Sequence, residues 1–167
     1  MGLSVMSLAN FARLVRTVFY LKPSQIFSRI IYRLARPRPD YSPAPQRRVA
    51  AGKLIRPAAR SASLIGPETF ALLNDERGLD LGWDDPNTPK LWRYNLHYFD
   101  DLNAIDASSR RDWHVALIDR WILENPPPRG TAWEPYPVSL RIVNWIKYRQ
   151  SGGLMSARAE NSLAIQA

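Results

Sequence analysis

At 167 residues the chain is long enough for one domain with a sizeable core, and its 46% hydrophobic and 11% aromatic content are globular values. With no cysteine there is no disulfide or thiolate metal site. Two histidines, His97 and His114, are too few for a histidine cluster, so neither a metal nor a cofactor is expected. The net charge of +8 is uneven: residues 1–60 carry 12 Lys+Arg against Asp40 alone, and residues 61–167 carry 11 against 14 acids. A basic third joined to a near-neutral body suits an anionic membrane surface or an acidic polymer.

Residues 3–21 space Leu3, Met6, Phe11, Leu14, Val15 and Val18 close to a helical period, which predicts an amphipathic helix. Pro23 suits the first turn of a second helix, with Ile26, Ile30, Ile31 and Leu34 apolar and Arg29, Arg33 and Arg36 cationic. Residues 1–36 therefore read as a basic helix pair, either lying on a membrane surface or packed on a larger body. Residues 37–67 hold six of the 14 prolines and read as an extended linker. Only Tyr41 is interleaved with its basic residues, so a nucleic-acid partner is not expected.

Over residues 68–89, Phe70–Leu73 and Leu79–Trp83 predict two short strands joined through Asn74–Gly78. Asp84-Asp85-Pro86-Asn87 follows as a turn held by Asx hydrogen bonds. From residue 90 the pattern is helical to residue 167. A first helix is expected over about Tyr94–Ile105. A second is capped by Ser108 or Ser109 and ended by Pro126-Pro127-Pro128. A third opens at Pro135 or Pro137 and stops at Gly152-Gly153, and a fourth covers Ser156–Ala167. Successive helices joined by short loops suggest stacked helical hairpins.

No segment reaches the roughly 18 apolar residues that span a membrane. The start lacks a secretory leader, and Met6 stands where a myristoylation signal needs Ser or Thr. The cytoplasm is the default location, with cell-envelope association open to the basic segment.

Two stretches stand out: Leu91–Asp101 (LWRYNLHYFDD) and Trp133–Tyr148 (WEPYPVSLRIVNWIKY). They hold three of the six tryptophans and four of the seven tyrosines, beside Arg, Asn and His. Aromatic faces next to amide and guanidinium donors are what a polar, ring-shaped, acidic ligand requires. On a helix, Tyr94, His97, Tyr98 and Asp101 share a face, whereas Asn95 and His97 point about 200° apart. Arg141, Asn144 and Tyr148 form one polar stripe, with Val138, Ile142 and Trp145 an apolar stripe beside it. A helix lining a groove has this pattern, with Arg141 gripping a carboxylate or sulfate; the alternative is an ion pair from Arg141 to Glu134 or Asp101. Trp133 and Tyr136 are candidates for stacking on a sugar ring, or for core anchors. His97 is a candidate for substrate contact, or a structural histidine of the core. Trp113, Leu117 and Trp121, four residues apart, read as core, and His114 as an ordinary surface or interhelix hydrogen bond.

LWRYNLHYFDDLNA followed by WEPYPVSLRIVNWIKY resembles the N-terminal region of the heparinase II/III-like polysaccharide lyase family. PSQIFSRIIYRLARP resembles the segment that precedes it in a bacterial branch, so the resemblance covers roughly residues 10–167. It implies a mainly α chain: a basic helix pair, a Pro-rich linker, a short β-hairpin, then the first hairpins of an incomplete α/α toroid. A β-sandwich domain follows in the family. It also implies cleavage of uronic-acid-containing polysaccharide by β-elimination, in an enzyme of several hundred residues. This chain would then be its N-terminal part, inactive alone. It would supply substrate-binding residues: Tyr94, Asn95, His97, Trp133, Tyr136, Arg141, Asn144 and Tyr148. The family's proton-transferring Tyr and His lie further along; here His97 and Tyr98 are the nearest in type. Two other readings stay open: a non-catalytic acidic-glycan-binding module, and a membrane-surface protein led by residues 3–36.

Overall fold

The structure is a computed structural model that describes residues 16, 20–34, 38–46, 48, 58 and 60–167, with backbone alone at 32–34. The chain divides into two compact units, Met1–Arg38 and Pro39–Ala167. In the first, helix α1 spans Pro23–Leu34. Its start is fixed by Pro23 at the first helical position and by the Lys22 N–H, which donates to Gln25 Oε1 at 2.9 Å. The helix expected over residues 3–21 lies almost wholly outside the described residues.

The second unit is mainly α. A small antiparallel sheet, β1 (Leu64–Gly66), β2 (Thr69–Leu72) and β3 (Asp75–Gly78) in that order, packs beside four helices. These are α2 (Lys90–Leu96), α3 (Arg111–Glu124), α4 (Pro135–Gln150) and α5 (Ala157–Gln166). The β2–β3 turn is the two-residue Leu73-Asn74 pair, with φ of 55° and 61°, the twist that antiparallel neighbours favour. The second strand was expected at Leu79–Trp83; it is Asp75–Gly78 instead. Its polar residues suit an edge that water can solvate. Leu79 and Trp83 enter the core from an irregular segment that turns at Gly82, φ 77°.

The helix expected over Tyr94–Ile105 also differs, because α2 ends at Leu96. Phe99 adopts a left-handed conformation, φ 58°, and a short 3-10 turn follows over Asp100–Asn103. The strain at Phe99 is about 1–2 kcal/mol. Against it, the Phe99 ring packs on Trp83, Trp121 and Trp145 with centroids 5.9, 6.3 and 5.5 Å away. Three aromatic contacts at about 0.5–1.5 kcal/mol each outweigh that cost. Trp121 and Trp145, both fully buried, centre the core with Leu117, Ile118 and Trp83. Helix α5 packs on both α3 and α4, and the Ser156 hydroxyl caps it by accepting from the Ala159 N–H.

Asp101 clasps the sheet to α3. Its carboxylate accepts from the Ser63 and Leu64 N–H groups at 2.7 and 3.0 Å, from Arg110, and from His114 Nε2 at 2.7 Å. Burial works to raise its pKa, but the hydrogen bonds from His114, Arg110, Leu64 and Ser63 outweigh it and bring the value to about 2. His114 is thus a buried tie between elements. Asp85 makes the expected Asx turn to the Asn87 N–H, whereas Asp84 reaches Thr131 and Arg93.

Candidate functional site

The fold brings the two aromatic stretches together. Asn144 on α4 donates from Nδ2 to the Tyr98 carbonyl at 2.9 Å and to Asp100 Oδ1 at 2.6 Å. Arg141, one turn earlier, donates from Nη1 to the carbonyls of Ala132 at 2.9 Å and His97 at 3.4 Å. Tyr136 meets Tyr98 edge-on at 5.8 Å and lies 6.4 Å from Tyr94. Local sequence explains the placement. Pro135 and Pro137 start α4 where an absent N–H costs nothing, which fixes the phase of Arg141 and Asn144.

Beneath the tyrosines the floor is sealed. His97 and Arg141 are both 0% exposed. The Trp121 indole N–H donates to His97 Nδ1 at 3.1 Å, and the His97 ring stacks on Trp83. Burial, aided by the Arg141 charge, pushes the His97 pKa down to about 3. Because an indole only donates, His97 Nδ1 must be the acceptor, and the neutral ring carries its proton on Nε2. Among the described residues that N–H has no hydrogen-bond partner. At neutral pH, His97 is a donor and not a base.

Arg141 pairs with neither Glu134 nor Asp101, and among the described residues it has no carboxylate partner. Its guanidinium lies 4.0 Å from the Trp121 ring centroid and 5.8 Å from that of Trp133, and Nε donates to Gln166 Oε1 at 2.7 Å. Tryptophan faces and carbonyl oxygens take the place of a counter-ion. Burial pushes the Arg141 pKa down to about 9. Among the described residues Nη2 has no hydrogen-bond partner, nor does the buried Nε of Arg93, one turn before His97 on α2.

The outward rim is aromatic and hydroxylic. Tyr136 is 59% exposed. The Tyr94 hydroxyl donates to Glu134, which also pairs with Lys90 at 2.9 Å. The bond to Glu134, then burial, raises the Tyr94 pKa. Burial, with Tyr136 and Asp100 nearby, pushes the Tyr98 phenol up to about 12, so it stays protonated. Trp133 is half-buried, donates to the Asn125 carbonyl at 2.9 Å, and lines a cavity of about 400 Å³ with Tyr41, Asn125, Arg158 and Asn161.

Two expected residues point elsewhere. Asn95 turns back to the Leu91 carbonyl at 2.8 Å. Tyr148 is buried at the far end of α4 against His114, 6.1 Å between centroids. The polar stripe of α4 therefore faces into the body, and its outer side shows Tyr136, Val143 and Ile146. Arg93, Thr131 and Gln166 carry no site expectation from the sequence, and Asp84 only that of a turn, yet all four hold the floor in place. Only Arg93 left a signal, its four-residue spacing from His97. Among the described residues no His, Cys, Asp or Glu group is arranged to hold a metal ion, and no helix is long and apolar enough to cross a membrane. No family model, curated protein or solved structure matches the chain.

Proposed function

We propose that the chain is the N-terminal part of a heparinase II/III-type polysaccharide lyase, the opening hairpins of an α/α toroid. Its task is to hold a uronic-acid-containing polysaccharide. The observation that carries this reading is the convergence of the two aromatic stretches. Residues about forty positions apart in sequence share hydrogen bonds and ring contacts around one exposed tyrosine.

β-Elimination needs three things: a neutralised uronate carboxylate, a base for the C5 proton, and an acid for the leaving oxygen. The tyrosines and the histidine of the site are donors. Tyr94 and Tyr98 hold their phenolic protons, and His97 is neutral with its free proton on Nε2. None is a base near neutral pH. Tyr136 stacks on a sugar ring, with Tyr94 and Lys90 beside it for the hydroxyls and the acid. Arg141, His97 and Asn144 are positioning residues that fix the tyrosines. Elimination then requires a base supplied from outside this set, so the chain alone binds without turnover.

The same lack of a base supports a second reading, a glycan-binding module with no chemistry of its own. Calorimetry with uronate tetrasaccharides tests both readings against no glycan role at all. Absorbance from newly formed unsaturated chain ends separates the two, since a lone module shows none in any context.

A further inference from the structure

Helix α1 carries a face that nothing in the proposed glycan role uses. Pro23, Phe27, Ile30 and Ile31 recur at helical spacing, and Phe27, Ile30 and Ile31 are 65%, 51% and 45% exposed. Ser24, Gln25, Ser28 and Arg29 occupy the remaining surface and are exposed as well. The helix contains no acid, and seven Lys and Arg precede Asp40, the first acid of the chain. Exposed bulky apolar groups on a short cationic helix are a liability in water, and both features need an explanation.

We propose that α1 docks on an anionic lipid surface. Phe27, Ile30 and Ile31 sink to the boundary between headgroups and acyl chains, and Arg29 and Lys22 meet the lipid phosphates. Charge decides among the occupants. A second copy of this segment would bring like charge against like charge. A neutral apolar partner would leave the cations without a role. An anionic bilayer satisfies the apolar face and the cations together. Each term alone is weak, because three side chains bury little area and surface charge is screened by salt. Their sum is a reversible anchor.

The experiment uses the full chain with vesicles of phosphatidylcholine, with and without phosphatidylglycerol. Co-sedimentation is expected with the anionic vesicles and not with the neutral ones. Replacing Phe27→Ser together with Ile31→Ser lowers the partition at least tenfold, and Arg29→Gln lowers it about fivefold. Neither variant changes thermal melting or uronate binding, so failure here is distinct from failure of the glycan reading. Three results overturn the proposal. One is no vesicle binding. Another is binding that is indifferent to Phe27→Ser and Ile31→Ser and is competed away by a soluble polyanion, which marks a charge-only arm. The third is a dimer in solution that Phe27→Ser dissociates, which assigns the face to a second copy.

Discussion

The Arg141 guanidinium sits 4.0 Å over the ring of Trp121, and the indole N–H of that same ring is bonded to His97. One tryptophan therefore ties α4 to the turn after α2. A buried cation without a carboxylate is tolerated here because two indole faces, two carbonyls and Gln166 share its charge. Replacing Arg141→Ala leaves a cavity beside Trp121 and strands the Gln166 and Ala132 acceptors. The expected loss is about 3 kcal/mol of stability, measured by urea unfolding, with Arg141→Met losing less.

Acid titration separates two groups. The His97 pKa is about 3 in the folded chain against 6.5 for a free imidazole. The unfolded chain binds this proton first, so the stability from neutral His97 is whole above pH 6.5. It declines as pH falls from 6.5 toward 3, by about 5 kcal/mol in all. Asp101, depressed from 3.8 to about 2, holds its share above pH 3.8 and loses about 2 kcal/mol between there and pH 2. His97→Asn is expected to flatten the stability curve between pH 6.5 and 4 while leaving the lower limb.

Removing the Asp101 carboxylate is more costly than protonating it. Asp101→Ala strands the half-buried Arg110, His114 and the N–H groups of Ser63 and Leu64 at the start of β1 at once. The expected loss is about 3–5 kcal/mol. Amide exchange would locate the damage in β1 and the start of α3. Uniform protection across those elements in the variant would contradict the clasp.

The end of α4 offers a paired test. Gly152 has φ 90° with open space around it, so Gly152→Ala incurs only conformational strain, about 1 kcal/mol. A Cβ on Gly153 would come within 2.5 Å of the buried Tyr148 ring. Gly153→Ala therefore forces repacking at about 1–3 kcal/mol and lowers the melting temperature further than Gly152→Ala does.

The helices were the readable part of the fold. Pro126–Pro128, Pro135 and Gly152-Gly153 mark ends of α3 and α4, because proline and glycine act locally and need no tertiary partner. The turn at Phe99 was not readable. Its left-handed backbone is stabilised by three tryptophans distant in sequence, and no local signal carries that. Two strands were missed: β1 falls at the end of residues 37–67, read as linker, and gains its pairing only from β2, while the Asp-Glu-Arg-Gly of β3 lacks strand formers and pairs only through its neighbour. At the site, the periodicity grouped Arg141, Asn144 and Tyr148 on one stripe, but their burial depended on where α4 docks. Arg141 suggested either a grip on a ligand carboxylate or sulfate or an ion pair to Glu134 or Asp101; its actual partners are rings, carbonyls and Gln166.

The decisive measurement for glycan binding at Tyr136 is calorimetry with uronate tetrasaccharides, comparing the unaltered chain with Tyr136→Ala. Tyr136 is exposed enough to be removed without unfolding α4, which circular dichroism would verify. Saturable binding by the unaltered chain is expected, weakened about tenfold or more in Tyr136→Ala through the lost stacking face, with no unsaturated ends formed. Binding of equal strength in the variant, or none in either, would contradict glycan binding at Tyr136.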